Sequence, residues 1–168
     1  YVGNEGDEFL FLTNLDAPKH RVIEININVD NRDWDSFDDV VAENYDGHGV
    51  LQSAYKYGAY LFLIYIENFQ SSLYLYSLEM KCIEFQIDVR DEQFLSSKND
   101  KFGFYFETMS YESLSKIYKI DFVQLMNRPK FENRYTKLRP MLKRQSQVAN
   151  LSDVDFSIQH DSFYSFDG

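Results

Sequence analysis

A chain of 168 residues is about one domain long, and its 44% hydrophobic content suffices for a core. The 13 Tyr and 15 Phe favour strands over helices. A net charge of −10 speaks against a general nucleic-acid surface, because phosphate repels an acidic protein. No run of about 18 apolar residues is present to cross a bilayer as a helix, so neither nucleic acid nor membrane is an expected partner.

In chain order, Glu8–Asn14 reads as a first strand and Arg21–Ile27 as its return. Leu15–Lys19 is the turn between them, with Pro18 fixing its own φ. The polar stretch Asn28–Asp35 holds Trp34. A short strand over Asp38–Ala42 precedes the loop Asn44–Gly49.

Val50–Tyr57 opens a second unit, and Gly58 breaks it. Tyr60–Ile66 is continuously apolar, the pattern of a strand buried on both faces. Glu67–Ser72 is expected to turn the chain, Leu73–Leu78 to return it, and Lys81–Val89 to add an alternating strand. A third unit begins with the strand Gln93–Ser97 and a polar turn at Lys98–Lys101. The aromatic hairpin Phe102–Phe122 follows. In it Phe102, Phe104 and Phe106 alternate with Gly103, Tyr105 and Glu107, Met109–Leu114 is the loop, and Ile117 and Ile120 bracket Tyr118 and Lys119.

Val123–Arg144 is basic: Arg128, Lys130, Arg134, Lys137, Arg139, Lys143 and Arg144 stand against Glu132. Pro129 and Pro140 interrupt any long helix. The basic residues are not interleaved with aromatics as a stacking groove would need, so a solvated excursion between strands is expected. Gln147–Leu151 and Asp155–Ile158 read as two further short strands, and Asp167–Gly168 as a turn signal.

The return strands of the three units line up. They start at Arg21, Ser72 and Lys116, 51 and 44 residues apart. A four-stranded unit recurring every ~40–50 residues is the mark of a β-propeller blade. An antiparallel sandwich is the alternative, since its strands also recur at short intervals. The expected fold is all-β: about three blades of four-stranded antiparallel sheet, near residues 1–45, 46–90 and 91–168.

The chemistry-bearing residues are sparse. None of the seven glycines brackets a serine, so the strained elbow of an α/β-hydrolase nucleophile is missing. Gly47-His48-Gly49 is too short to cradle a phosphate and leads into a strand, not a helix. His20, His48 and His160 lack ligand spacing. Asp46 beside His48 makes two potential ligands where a metal needs three or four. Cys82 alternates with Lys81, Ile83 and Glu84 and reads as a buried small hydrophobe, since the acidic Glu79 and Glu84 do not favour a thiolate. As a lone cysteine with no secretory signal before it, it also suggests a reducing, cytoplasmic setting, in which the sequon Asn150-Leu151-Ser152 is chance. No catalytic, cofactor-binding or metal-binding residue is assigned, and no cofactor is expected.

An ordered series of short segments resembles the N-terminal propeller of the prolyl oligopeptidase family. Tyr1-Val2-Gly3-Asn4-Glu5-Gly6 is followed by Phe11-Leu12-Thr13-Asn14, Pro18 and Arg21-Val22-Ile23-Glu24-Ile25-Asn26. Trp34 falls before an acidic loop, as in that family, and Tyr60–Leu78 is similar to its next hairpin. Phe104-Tyr105-Phe106-Glu107-Thr108 with Ile117-Tyr118-Lys119-Ile120-Asp121 is similar to its Phe-rich hairpin, and Arg144–Gly168 to the stretch leading back into the hydrolase domain. Two departures stand out. Glu112-Ser113-Leu114-Ser115 replaces the family's Ser-Pro loop, and the basic excursion is long.

The resemblance implies a seven-bladed propeller capping a C-terminal α/β-hydrolase domain, with access limited to short peptides cut after proline. This chain would then be roughly the last three blades, an incomplete ring, with the Ser-Asp-His triad downstream of Gly168 and the substrate-touching propeller residues upstream of Tyr1. A start at Tyr1 instead of Met fits such a fragment. The expected role is gating of short proline-containing peptides by a chain that is itself inactive. Two alternatives from other classes are a standalone propeller-type interaction module and a chain with its own enzymatic activity.

Overall fold

The computed structural model describes residues 1–29, 37–43, 45–68, 70–87, 93–100, 103–110, 113–121, 136–138 and 140–145. Trp34, Phe102, His160, the sequon, and the expected strands and turn beyond residue 146 lie outside the described residues.

Three sheets follow one another along the chain. The first holds β1 (Gly3–Glu5), β2 (Glu8–Thr13), β3 (Arg21–Asn26) and β4 (Asp38–Val41) in sequential antiparallel order. The middle sheet holds β5 (Val50–Tyr57), β6 (Tyr60–Glu67), β7 (Gln70–Ser77) and β8 (Cys82–Ile87), again sequential and antiparallel. The third holds β9 (Gln93–Asp100), β10 (Gly103–Ser110), β11 (Ser113–Asp121) and, at its far edge, β13 (Met141–Gln145). One strand breaks the pattern: β12 (Thr136–Leu138) lies parallel to β8 and makes the middle sheet five-stranded.

The three aligned return strands are β3, β7 and β11, each the third strand of its sheet. Four-stranded meanders stacked in series are propeller blades, and among the described residues they do not close a ring.

The turns are tighter than their polar residues suggest. Asn68, in the left-handed region at φ 49°, reverses the chain between β6 and β7, so Gln70–Ser72 are strand and not turn. β9 likewise runs on through Lys98–Asp100, and the β10–β11 ladder extends to the pair Ser110–Ser113. Two further strands, β12 and β13, fall inside the stretch expected to be an excursion, and β1 is a strand the sequence pattern did not signal.

The middle sheet is buried on both faces, as the apolar run Tyr60–Ile66 predicts. Leu61 through Tyr65 are all buried. Leu61, Leu63 and Tyr65 join Leu10, Val22 and Val41 in a core against the first sheet. Phe62 and Ile64 join Phe104, Phe106 and Ile120 in a second core against the third sheet. Two bulges set this sorting. An extra residue between Leu51 and Ser53 in β5 puts Leu51 and Ala54 on the same side. In β8, Glu84 is the extra residue, so Ile83 faces the first sheet while Phe85 and Ile87 face the third.

Candidate functional site

The chemistry of the described residues is concentrated where the sheets meet. At the first seam, Tyr76 on β7 is nearly fully buried, and its hydroxyl donates to the Val40 carbonyl on β4 at 2.7 Å. Tyr45, in a short 3₁₀ turn over Tyr45–Gly47, meets the Tyr76 ring edge-on at 5.6 Å. The Tyr45 hydroxyl reaches the Lys81 carbonyl at 3.4 Å. Burial, with lesser contributions from Tyr45 and Cys82, pushes the Tyr76 phenol up to about 12. It is therefore a neutral hydrogen-bond donor at physiological pH, not an acid-base group.

The exposed edge of β5 is partly capped by the first sheet. The Leu51 N–H donates to the Lys19 carbonyl at 3.0 Å, and His20 Nδ1 donates to the Leu51 carbonyl at 2.8 Å. The Lys19 N–H donates in turn to Glu43 Oε1 at 2.6 Å. Further along, the Lys56 N–H meets the Val2 carbonyl at 3.4 Å, and Lys56 Nζ lies 3.4 Å from Glu5. An inner edge strand is otherwise open to pairing with another chain, and these contacts blunt it.

His20 is thus a structural bridge, held at φ 66° at the end of the β2–β3 turn. His48 lies against Tyr74 at 4.3 Å and Tyr65 at 5.1 Å between ring centres, so it packs the mouth of the first seam. Among the described residues no group of three His, Cys, Asp or Glu side chains is placed to hold a metal. Cys82 is half-buried and not fully enclosed: it opens β8 opposite Ser77, directly after Lys81 turns the chain at φ 50°. The Glu24 carboxyl is pushed up from its ordinary value, by burial first and by Glu8 and Asp38 next, with Lys81 opposing.

The second seam is aromatic. Phe62 and Phe104 stack at 4.1 Å with their planes 3° apart, and Phe106 stacks on Tyr118 at 5.4 Å. Phe104, Phe106 and Tyr118 of the hairpin pack between the sheets, as the alternation of its phenylalanines suggests. Its opposite face is polar: Lys119 pairs with Asp121 at 3.3 Å and lies over the Tyr105 ring, and Ser115 donates to Glu107. Asp121 and Tyr105 outweigh the effect of desolvation on Lys119 and raise its pKa. The far face of the first sheet is the opposite in character. Phe9, Phe11 and Ile25 are half-buried there, and the exposed Tyr1 ring lies about 6 Å from both phenylalanines.

Seams of packed rings and capped edges hold a scaffold in shape, which is the work of a propeller. Residues 1–130 match the family model described as the prolyl oligopeptidase N-terminal β-propeller domain. The chain belongs to the prolyl oligopeptidase family and lies within its propeller. Among solved structures it is similar to a prolyl endopeptidase studied for the role of inter-domain dynamics in catalysis and specificity. That likeness has 15% identity and a TM-score of 0.66, covering 90% of this chain and 20% of the other. It is also similar to prolyl oligopeptidase B from Galerina marginata bound to a 35mer hydrolysis and macrocyclization substrate, at 22% identity and TM-score 0.68, over 92% of this chain and 20% of the other. The same enzyme in its apo form gives 21% identity and TM-score 0.59, over 73% and 17%. The chain spans about a fifth of the length of these proteins. No curated protein matches it.

Proposed function

We propose that these blades are part of the non-catalytic propeller of a serine-type endopeptidase, and that they gate the access of short proline-containing peptides to a C-terminal α/β-hydrolase domain. The observation that carries the reading is the membership of residues 1–130 in the N-terminal propeller of the family. The apolar far face of the first sheet supports it, since a blade buried on one side only would not need Phe9, Phe11 and Ile25 on the other. A preceding blade is the proposed cover. The chain's role is then steric: a ring of blades excludes folded proteins and shields the reacting groups from bulk water. The single free Cys82 supports a reducing, cytosolic location.

Two preparations test this. The full-length protein should cleave a chromogenic proline-containing peptide and lose that activity to a serine-directed probe. The 168-residue chain alone should be inert to both. Turnover by the short chain would refute the reading. A full-length sequence that adds further blades but no Gly-x-Ser-x-Gly elbow would favour a standalone interaction module.

A further inference from the structure

The segment from Thr136 to Gln145 belongs to two sheets within ten residues. Its first half, β12, pairs with the outer edge of the middle sheet in the register Thr136–Phe85, Lys137–Gln86 and Leu138–Ile87. Its second half, β13, pairs with the outer edge of the third sheet in the register Lys116–Gln145, Ile117–Arg144, Tyr118–Leu142 and Lys119–Met141. Those two sheets face each other across the core built on Phe62 and Phe104.

The length of the crossing is informative. From Leu138 to Met141 the chain has three Cα steps, and such a piece spans at most ~10–11 Å when extended. Stacked sheets lie ~10 Å apart. The crossing therefore has almost no slack. Pro140 suits it, because proline holds its own φ and gives up an N–H at a point between the two ladders.

The two anchors differ in strength. β13 is antiparallel and five residues long, whereas β12 is parallel and three residues long, the one parallel pairing among the described strands. Parallel ladders are the less stable per residue, and a short one is the first to open.

We infer that Thr136–Gln145 is a strap that ties the outer edges of two neighbouring blades at a fixed spacing, with β12 as its releasable end. While β12 is docked, the outer side of the second seam cannot widen. When β12 peels from β8, the middle sheet keeps its four meander strands, and the seam can part at its outer edge while Phe62 and Phe104 still pack. The strap thus sets how far the two blades can separate, and this holds whether or not the propeller gates a peptidase.

Hydrogen exchange on the full-length protein tests the strap. Amides of residues 136–138 should exchange on the order of tenfold faster than those of 141–145. Two glycines inserted before Pro140 add slack, so exchange in Phe62–Ile64 and Phe104–Phe106 should rise while β12 stays protected. The variant Gln86→Cys/Lys137→Cys in a Cys82→Ala background, oxidised, should slow exchange at both seam segments and return to the starting rate on reduction. Equal protection of β12 and β13, or seam exchange indifferent to both the insertion and the cross-link, would overturn the inference.

Discussion

Tyr76 is the residue on which the first seam most visibly depends. Its hydroxyl satisfies the Val40 carbonyl inside the core. Tyr76→Phe keeps the ring and strands that acceptor, so it should cost about 1–2 kcal/mol in urea unfolding. The same group makes stability depend on alkaline pH. Its folded pKa is raised from 10.0 to about 12. The stability linked to the neutral phenol is fully present below pH 10 and is lost as pH rises from 10.0 to about 12, because the unfolded chain releases the proton first. Tyr76→Phe should flatten that fall. Two glycines test packing against backbone conformation. A Cβ at Gly49 would sit 2.1 Å from the Ile66 carbonyl oxygen, whereas one at Gly58 would meet nothing within 4 Å but would strain a φ of 53°. Gly58→Ala should cost about 1–2 kcal/mol. Gly49→Ala must move β6 backbone and should cost more, a ranking that thermal melts of the two variants will read.

At the scale of strands, the long apolar run, the alternation in β10 and the aligned return strands were legible in the sequence, because period-two burial and a repeated meander leave direct marks. The bulges were not. Simple alternation places Ile83 and Phe85 on one face, and only the extra residue Glu84 sends them to opposite cores. β12 and β13 were hidden for another reason: their lysines and arginines look like a solvated loop, yet edge strands favour such charges because they discourage pairing with other chains. The reading of Cys82 as buried missed that it starts its strand, where the fold opens. The seam itself follows from the hairpin's rings. Phe104→Ala should cost about 3–5 kcal/mol, since Phe104 is fully buried. A double-mutant cycle with Phe62 should return a coupling of ~1 kcal/mol for the stacked pair, and additivity would contradict the stacking.

For the molecule as a whole, the sequence carried the family through the residues that shape a propeller, and those are packing residues. The side chains that sequence reasoning missed, Tyr45 and Tyr76, bear no motif; they matter only once β4 and β7 are brought together. The apolar far face of the first sheet predicts how the separated chain behaves. Alone, the 168 residues should elute from size exclusion as an aggregate or an expanded species. A sharp 20.0 kDa monomer with cooperative melting would mean that these blades are self-sufficient.

The proposed gating role makes a sharper demand on the full-length protein. One proline-containing sequence should be offered twice, as a short free peptide and as an exposed loop of a folded protein, with cleavage followed by mass spectrometry. Size exclusion by a ring of blades predicts cleavage of the free peptide alone. Cleavage of both at comparable rates would contradict it.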